Sequence, residues 1–277
     1  MKMTEIIKDA FQFPSRHTGR YAIYLLLSVL IVLFASGGIL TYSFGILDAE
    51  NYLTGGIYIV IAALIGIIVE GYHIKVAKSG IDHDDEVPRF ELFNDFMTGF
   101  DNFAVLLVYF SIPAILVALV AGDTNLFGNA IDVGREFILQ LFNVYIMGGS
   151  VDLAVISLSI VLNDFLTSLA ITITVALVLF VIFAFLRFIA EARLANTGSL
   201  KEALNIYETA KDIRRMGIGR AIIVVLLVLV IIIAIELLLA MVLGDYPFLL
   251  STFCIIITPY FLLVTQRAFG LLYSDIA

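Results

Sequence analysis

The chain has 277 residues, of which 61% are apolar and only 14% are charged, and its mean hydropathy is +1.06. This composition leaves too little polar surface to cover a soluble globule of this size. The formal net charge of -8 says little about partners, because the charges are segregated along the chain. We therefore expect membrane lipids as partners, and no nucleic acid.

Six apolar runs are long enough to cross ~30 Å of hydrocarbon at ~1.5 Å per residue. In chain order they cover residues 21–41, 54–77, 103–121, 165–188, 221–243 and 247–268. These runs predict an all-α integral membrane protein, with six transmembrane helices arranged as three helical hairpins.

Positive charge lies almost entirely on alternate connections between these runs. Lys and Arg cluster before residue 21, at 75–100, at 187–220 and at Arg267, and Arg135 is the exception among the 16. The other connections, near Asp48, Asp123 and Asp245, are acidic. Because cationic residues near span ends are retained in the cytoplasm during insertion, we expect a plasma-membrane protein with both termini cytoplasmic.

The segment 122–164 contains two apolar stretches, 137–147 and 151–162, that are too short to span a membrane. Gly148 and Gly149 separate them and suit a break or a tight turn. We expect two short helices that lie on, or dip into, the outer leaflet. The alternative is an extra pair of crossings, because a single extra span would move the basic cluster 187–220 outside.

Each outward span is preceded by a short amphipathic segment, which we expect to form a helix at the cytoplasmic interface. Met97 belongs to the apolar stripe of the second segment and Tyr207 to that of the third, which opens with a capping box of Ser199 and Glu202. The returning spans end in similar basic stretches around Lys75, Arg193 and Arg267.

This recurrence favours a single membrane domain of three pseudo-repeats. Their boundaries would be 1–78, 79–196 and 197–277, and the second repeat would carry an outer-face insertion at about 122–164. The alternative is that the hairpins are not repeats, because any hairpin that starts and ends on the cytoplasmic side and obeys the charge rule would show the same features.

Two parts of the chain also resemble a known family. Residues 71–76, 80–90 and 93–100, together with 187–199 in the second basic loop, resemble an uncharacterised prokaryotic, mainly archaeal, family of membrane proteins, the domain of unknown function forty-thirteen. The resemblance implies a multi-span integral membrane protein. It implies no activity, substrate or catalytic residue.

Glu236 is the most costly residue to insert, because it lies within a long apolar run. A carboxylate near mid-membrane costs about 2.5–3.5 kcal/mol on insertion scales, so we expect it to face the bundle interior. It is a candidate proton or cation site. The alternative is a neutral acid that is hydrogen-bonded within the bundle.

Two polar groups mark the cytoplasmic end of the second span. Glu70 and His73 share a helix face and form a candidate polar pair, although an interfacial hydrogen bond or salt bridge that also involves Lys75 is the favoured explanation. The acidic loop 82–86 lacks the pattern of a calcium site, and we expect it to dock onto the basic segment 201–220. The sequence indicates no metal site and no cofactor.

The last candidate is a basic helix near the membrane. Lys211, Arg214, Arg215 and Arg220 are candidate contacts for anionic lipid headgroups, which contribute ~1 kcal/mol per cation. Ordinary topology anchoring explains the same charges, and the two roles are compatible.

These features favour a non-catalytic protein with a membrane-organising, lipid-binding or partner-binding role. The alternative is a small-solute or ion transporter or channel that uses Glu236. A membrane-embedded lipid enzyme is the third hypothesis, and it requires Glu70, His73 and the loop 82–86 to converge. The sequence leaves open a homo-oligomer or an unknown protein partner.

Overall fold

The computed structural model describes residues 1–44 and 49–277, and within these ranges every regular element is helical. The helices are α1 (Met3–Gln12), α2 (Thr18–Phe44), α3 (Ala49–Ile81), α4 (Leu92–Asp123), α5 (Leu126–Tyr145), α6 (Val151–Thr197), α7 (Leu200–Ala203), α8 (Ile206–Met216), α9 (Ile218–Leu243) and α10 (Pro247–Tyr273). A 3-10 turn, Phe13–His17, joins α1 to α2. Asp48 of the first predicted acidic connection lies outside the described residues.

Among the described residues, six helical stretches are long and apolar enough to cross a membrane, and they correspond to α2, α3, α4, α6, α9 and α10. The prediction of an all-α integral membrane protein with six spanning helices is therefore confirmed. The chain separates into two compact units. Unit 1 comprises Met1–Leu106 and Leu186–Ala277, and unit 2 comprises Leu107–Phe185.

Unit 2 contains α5 and the adjoining parts of α4 and α6. The predicted break is present, because α5 ends at Tyr145 and Gly148 adopts a positive φ of 69°. The second predicted short helix is wrong: 151–162 is continuous with the fourth span in the 47-residue α6. No Gly or Pro interrupts the sequence of α6, so nothing ends the helix between Val151 and Thr197.

In unit 1, two glycines allow α3 and α4 to touch. A Cβ on Gly71 would collide with the carbonyl oxygen of Asp95, and a Cβ on Gly99 would collide with that of Ile67. Because both positions lack a side chain, the start of α4 lies directly against α3.

Three acid–base pairs join the helix ends that carry the basic stretches, and we call this part of unit 1 the basic end. Asp95 of α4 pairs with Lys75 of α3 at 2.6 Å, and its side chain is fully buried. Asp212 of α8 pairs with Arg193 of α6 at 2.5 Å, and Asp9 of α1 pairs with Arg267 of α10 at 2.8 Å.

The order of these pairs follows the predicted hairpins. Each acid lies on the amphipathic segment that opens one hairpin, and each base lies at the end of the hairpin before it. The first acid, Asp9, pairs with the base of the last hairpin, Arg267, so the three pairs close a cycle. This cyclic order supports the predicted pseudo-repeats, which stay a prediction.

The amphipathic segments bury two acids that the sequence did not single out. Asp95 and Asp212 are buried and pair with bases on the neighbouring helices, while the stripe residues Met97 and Tyr207 lie on the surface. The predicted capping box is wrong. The Ser199 side chain makes no capping hydrogen bond, and the carboxylate of Glu202 pairs with Arg193 at 2.7 Å.

Candidate functional site

Unit 1 contains a cavity of 660 Å³ between α2, α3, α10 and the part of α4 that belongs to this unit. Its lining on α3 runs from Ala63 to His73, which is about 15 Å along a helix at ~1.5 Å per residue. Apolar side chains such as Ile31 and Phe103 form most of the wall. Glu70 and His73, at the end of this lining that is nearer the basic end, are the titratable groups of α3 in the wall.

A hydrogen-bonded group of side chains surrounds this end of the cavity. The hydroxyl of Tyr24 and Nε2 of His73 share a hydrogen bond of 2.7 Å. Nδ1 of His73 lies 3.7 Å from Oε2 of Glu70, and the Asn102 amide donates a hydrogen bond of 2.8 Å to the same oxygen. The His73 side chain is buried, whereas that of Glu70 keeps 36% of its surface exposed.

The group continues behind Glu70 into α6 and α10. Arg187 lies 3.9 Å from Glu70 and 2.6 Å from Glu191, whose side chain is 1% exposed. The Gln266 amide donates to the second oxygen of Glu191 at 3.3 Å. We call the seven residues the polar cluster: Tyr24, Glu70, His73, Asn102, Arg187, Glu191 and Gln266.

The two acids of the polar cluster share one base. A buried charge is costly unless it is paired and hydrogen-bonded, and the Arg187 guanidinium lies close to the carboxyl groups of both Glu70 and Glu191. Of these two groups, Glu191 is buried and Glu70 lines the cavity. The cluster therefore presents a partly accessible carboxylate, Glu70, at the end of an apolar cavity.

Sequence reasoning identified Glu70 and His73 as a pair, and the structure brings them together. It missed Tyr24, Asn102, Arg187, Glu191 and Gln266. A signal existed for Glu191, because Glu191 precedes Arg193 by the same two residues that separate His73 from Lys75. Tyr24 and Asn102 follow no such spacing, and only the helix contacts identify them.

The structure places Glu236 on an exposed part of α9, and not towards the interior of unit 1. The buried residues of α9, Ala221, Val224 and Val228, all lie in the first half of the helix. The half that carries Glu236 buries no residue, and the Glu236 side chain is exposed. Its role as a proton or cation site stays a prediction.

Three of the four predicted lipid-headgroup contacts, Lys211, Arg214 and Arg215, are exposed on α8. Arg220 instead binds the two termini, with an ion pair of 2.6 Å to Asp275 and a hydrogen bond of 2.6 Å to the Met1 carbonyl. Contact between these cations and lipid stays a prediction.

The acidic loop docks at a different place from the one predicted. Asp85 pairs with Arg16 and Glu86 pairs with Arg20, each at 2.6 Å, so the expected docking onto 201–220 is wrong for these two residues. The two carboxylates pair instead with Arg16, in the 3-10 turn before α2, and with Arg20, in the first turn of α2. The hydrogen bond from Arg20 holds the pKa of Glu86 below its ordinary value. Neither acid lines the cavity that holds Glu70 and His73.

The fold and the site together define a multi-pass, all-α membrane protein with a polar-ended cavity among its helices. The family model described as "Protein of unknown function (DUF4013)" matches residues 54–244, well over half of the chain, and the protein belongs to this family. The matched segment includes Glu70, His73, Asn102, Arg187 and Glu191, but not Tyr24 or Gln266. No curated protein and no solved structure matches the chain.

Proposed function

We propose that this protein is a non-catalytic membrane protein that binds a lipid or a similar amphiphile in the cavity of unit 1. The observation that carries the proposal is a 660 Å³ cavity with apolar walls and a polar cluster at one end. This volume falls in the range of about 300–1,000 Å³ that is usual for small-molecule sites.

The separation of apolar walls from a polar end supports an amphiphile as the ligand. A hydrocarbon chain can lie along Ile31, Val69 and Leu262, while a polar head reaches Glu70 and His73. An ordinary polar solute would leave most of the wall without a partner. A purely apolar ligand would leave the Glu70 carboxylate facing hydrocarbon, which is costly.

The charge distribution supports an orientation for this site. The basic end carries the positive charge that the cytoplasmic side retains during insertion. We therefore place the basic end, and with it the polar end of the cavity, towards the cytoplasm. Both termini lie on that side in this arrangement.

The transporter alternative would draw on the same cavity. Glu70 lines it and Glu236 does not, so a cation or proton that passed through the cavity would meet Glu70. Proton- or cation-dependent flux in proteoliposomes that Glu70→Gln abolishes would favour transport over binding alone.

Lipid binding can be tested with a variant whose added side chain fills the cavity. Gly66 lines it, and a Cβ added there would meet no atom within 4 Å, so Gly66→Leu projects its side chain into the open space. Gly134→Leu is the matched control, because Gly134 is a helical glycine of α5 with equally open surroundings.

Both variants and the wild type are purified in the same detergent, and native mass spectrometry counts the retained lipids. We expect about one retained lipid for the wild type and for Gly134→Leu, and a loss of most of it for Gly66→Leu. Equal retention by all three proteins, or none by the wild type, would refute the proposal.

A further inference from the structure

We infer that the polar end of the cavity selects a lipid head whose terminal group donates hydrogen bonds, an ammonium or a hydroxyl. This inference rests on the proposed function. It concerns selectivity, which the apolar wall cannot supply, because a hydrocarbon chain gains little when it leaves lipid for a cavity of similar polarity. The head contacts must therefore distinguish one lipid from another.

The first argument is the free oxygen of Glu70. The contacts of this carboxylate with Asn102, His73 and Arg187 all use Oε2, at 2.8, 3.7 and 3.9 Å. The side chain lines the cavity and keeps 36% of its surface exposed. Oε1 is therefore the atom left to accept a hydrogen bond from a bound molecule.

The second argument concerns the other hydrogen-bonding groups near Glu70. Ser28 donates its hydroxyl proton to the Tyr24 carbonyl at 2.9 Å, so its oxygen is left to accept. Tyr24 and His73 share one hydrogen bond, and when Tyr24 donates it the remaining His73 proton lies on Nδ1, 3.7 Å from Oε2 of Glu70. Glu70 Oε1 and the Ser28 oxygen are thus acceptors in the wall, beside the Thr258 hydroxyl and the Cys254 thiol, which can act either way.

The third argument is electrostatic. Among the charged groups of the polar cluster, the Glu70 carboxylate lines the cavity, whereas Arg187 and Glu191 do not. In the low dielectric of the membrane an anionic terminal group would be repelled there, whereas an ammonium would be attracted. A quaternary ammonium has the positive charge but no N–H to donate. Its binding therefore measures the contribution of charge without that of the hydrogen bond.

The experiment compares heads on identical acyl chains. Delipidated protein in detergent is titrated with phosphatidylethanolamine, phosphatidylglycerol, phosphatidylcholine and phosphatidic acid, and native mass spectrometry gives each Kd. We expect the ethanolamine head to bind about tenfold more tightly than the choline head, since one hydrogen bond to a charged acceptor contributes that much. The glycerol head carries hydroxyl donors and no ammonium, so comparing its Kd with that of the ethanolamine head shows which of the two donors the site prefers.

Glu70→Gln is the diagnostic variant and Glu236→Gln is its matched control. The control makes the same change at an exposed acid that does not line the cavity. We expect Glu70→Gln to reduce the ethanolamine preference to less than threefold, and Glu236→Gln to leave it unchanged. If Glu70→Gln fails to fold, the comparison of heads on the wild type still decides the inference.

The possible failures differ in what they overturn. If lipid is retained but the choline head or phosphatidic acid binds as tightly as ethanolamine, the inference is wrong and lipid binding stands. An unchanged preference in Glu70→Gln would also overturn it. If no head binds and Gly66→Leu has no effect, lipid binding itself is refuted.

Discussion

The basic end of unit 1 and the helices of unit 2 differ in where their charged residues lie. At the basic end, Asp95 and Asp212 are buried and each bonds to a base on another helix. In unit 2, α5 buries no residue, and Arg135 pairs with Asp132 of the same helix at 3.4 Å, with 68% and 45% of the two side chains exposed. One region uses charge to join helices, and the other keeps charge on the surface.

This difference indicates where the chain specifies contacts between its helices. A buried charge that is paired with an opposite charge on a neighbouring helix restrains the position of its helix, because another position would leave the buried charge unpaired. The basic end holds three such pairs, and the polar cluster begins only about one helical turn further along α3, where Glu70 and His73 precede Lys75. The pairs are therefore suited to hold the cavity end in place. Unit 2 has no comparable buried pair among its described ion pairs.

The largest effect should come from removing a buried acid. Asp212 accepts from Arg193 at 2.5 Å, from Tyr273 at 2.9 Å and from Arg215 at 3.1 Å. We expect Asp212→Ala to lower the free energy of unfolding by about 3 kcal/mol, the lower end of the range for a broken buried pair, because Arg193 keeps Glu202. Thermal unfolding in detergent, followed by circular dichroism, measures it.

The control is the equivalent change in unit 2. Asp132→Ala removes an exposed partner, so the loss should be below about 1 kcal/mol. Similar losses for the two variants would contradict the contrast between the two regions.

A smaller effect should come from the contact between α3 and α4. A Cβ on Gly71 would collide with the Asp95 carbonyl oxygen, so Gly71→Ala should push α4 away and weaken the Asp95–Lys75 pair. Overpacking of this kind costs about 1–3 kcal/mol. Gly66→Ala, on the same helix but facing open space, should be close to neutral in the same thermal assay. A neutral Gly71→Ala would mean that the two helices do not depend on this contact.

Much of the fold could be predicted from the sequence, because hydropathy and length are properties of single segments. The six spans and the break near Gly148 follow from apolar runs and from glycine. The continuous α6 could have been expected from the lack of Gly and Pro in 151–197, but the short apolar stretch was judged by its own length alone. The buried faces of the amphipathic helices were harder, since Asp95 and Asp212 are buried only because Lys75 and Arg193 lie opposite them.

The candidate site could be predicted only in part, because most of its residues meet through contacts between helices. Glu70 and His73 are three residues apart on one helix, so their contact is local. Tyr24 and Gln266 reach the cluster through the packing of α2 and α10, which no spacing in the sequence encodes. Glu236 shows the converse, because its high insertion cost predicts an interior position, whereas its side chain is exposed on a half of α9 that buries no residue.

The smallest effect should come from the pair of Arg20 and Glu86, in which the acid is as exposed as in the unit 2 pair but the base is mostly buried, and which joins two separate segments of unit 1. Arg20 lowers the pKa of Glu86 in the folded protein, so the pair stabilises the fold above the ordinary pKa of a glutamate and loses this contribution as the pH falls through the lowered value. Glu86→Gln should therefore lower Tm slightly at pH 7 and at 20 mM salt. The difference from the wild type should shrink at 500 mM salt, because salt screens exposed charges, and should vanish once the pH is below the lowered pKa of Glu86. A difference that persists to the acid end of the pH series would show that Glu86 acts through packing or hydrogen bonding and not through its charge.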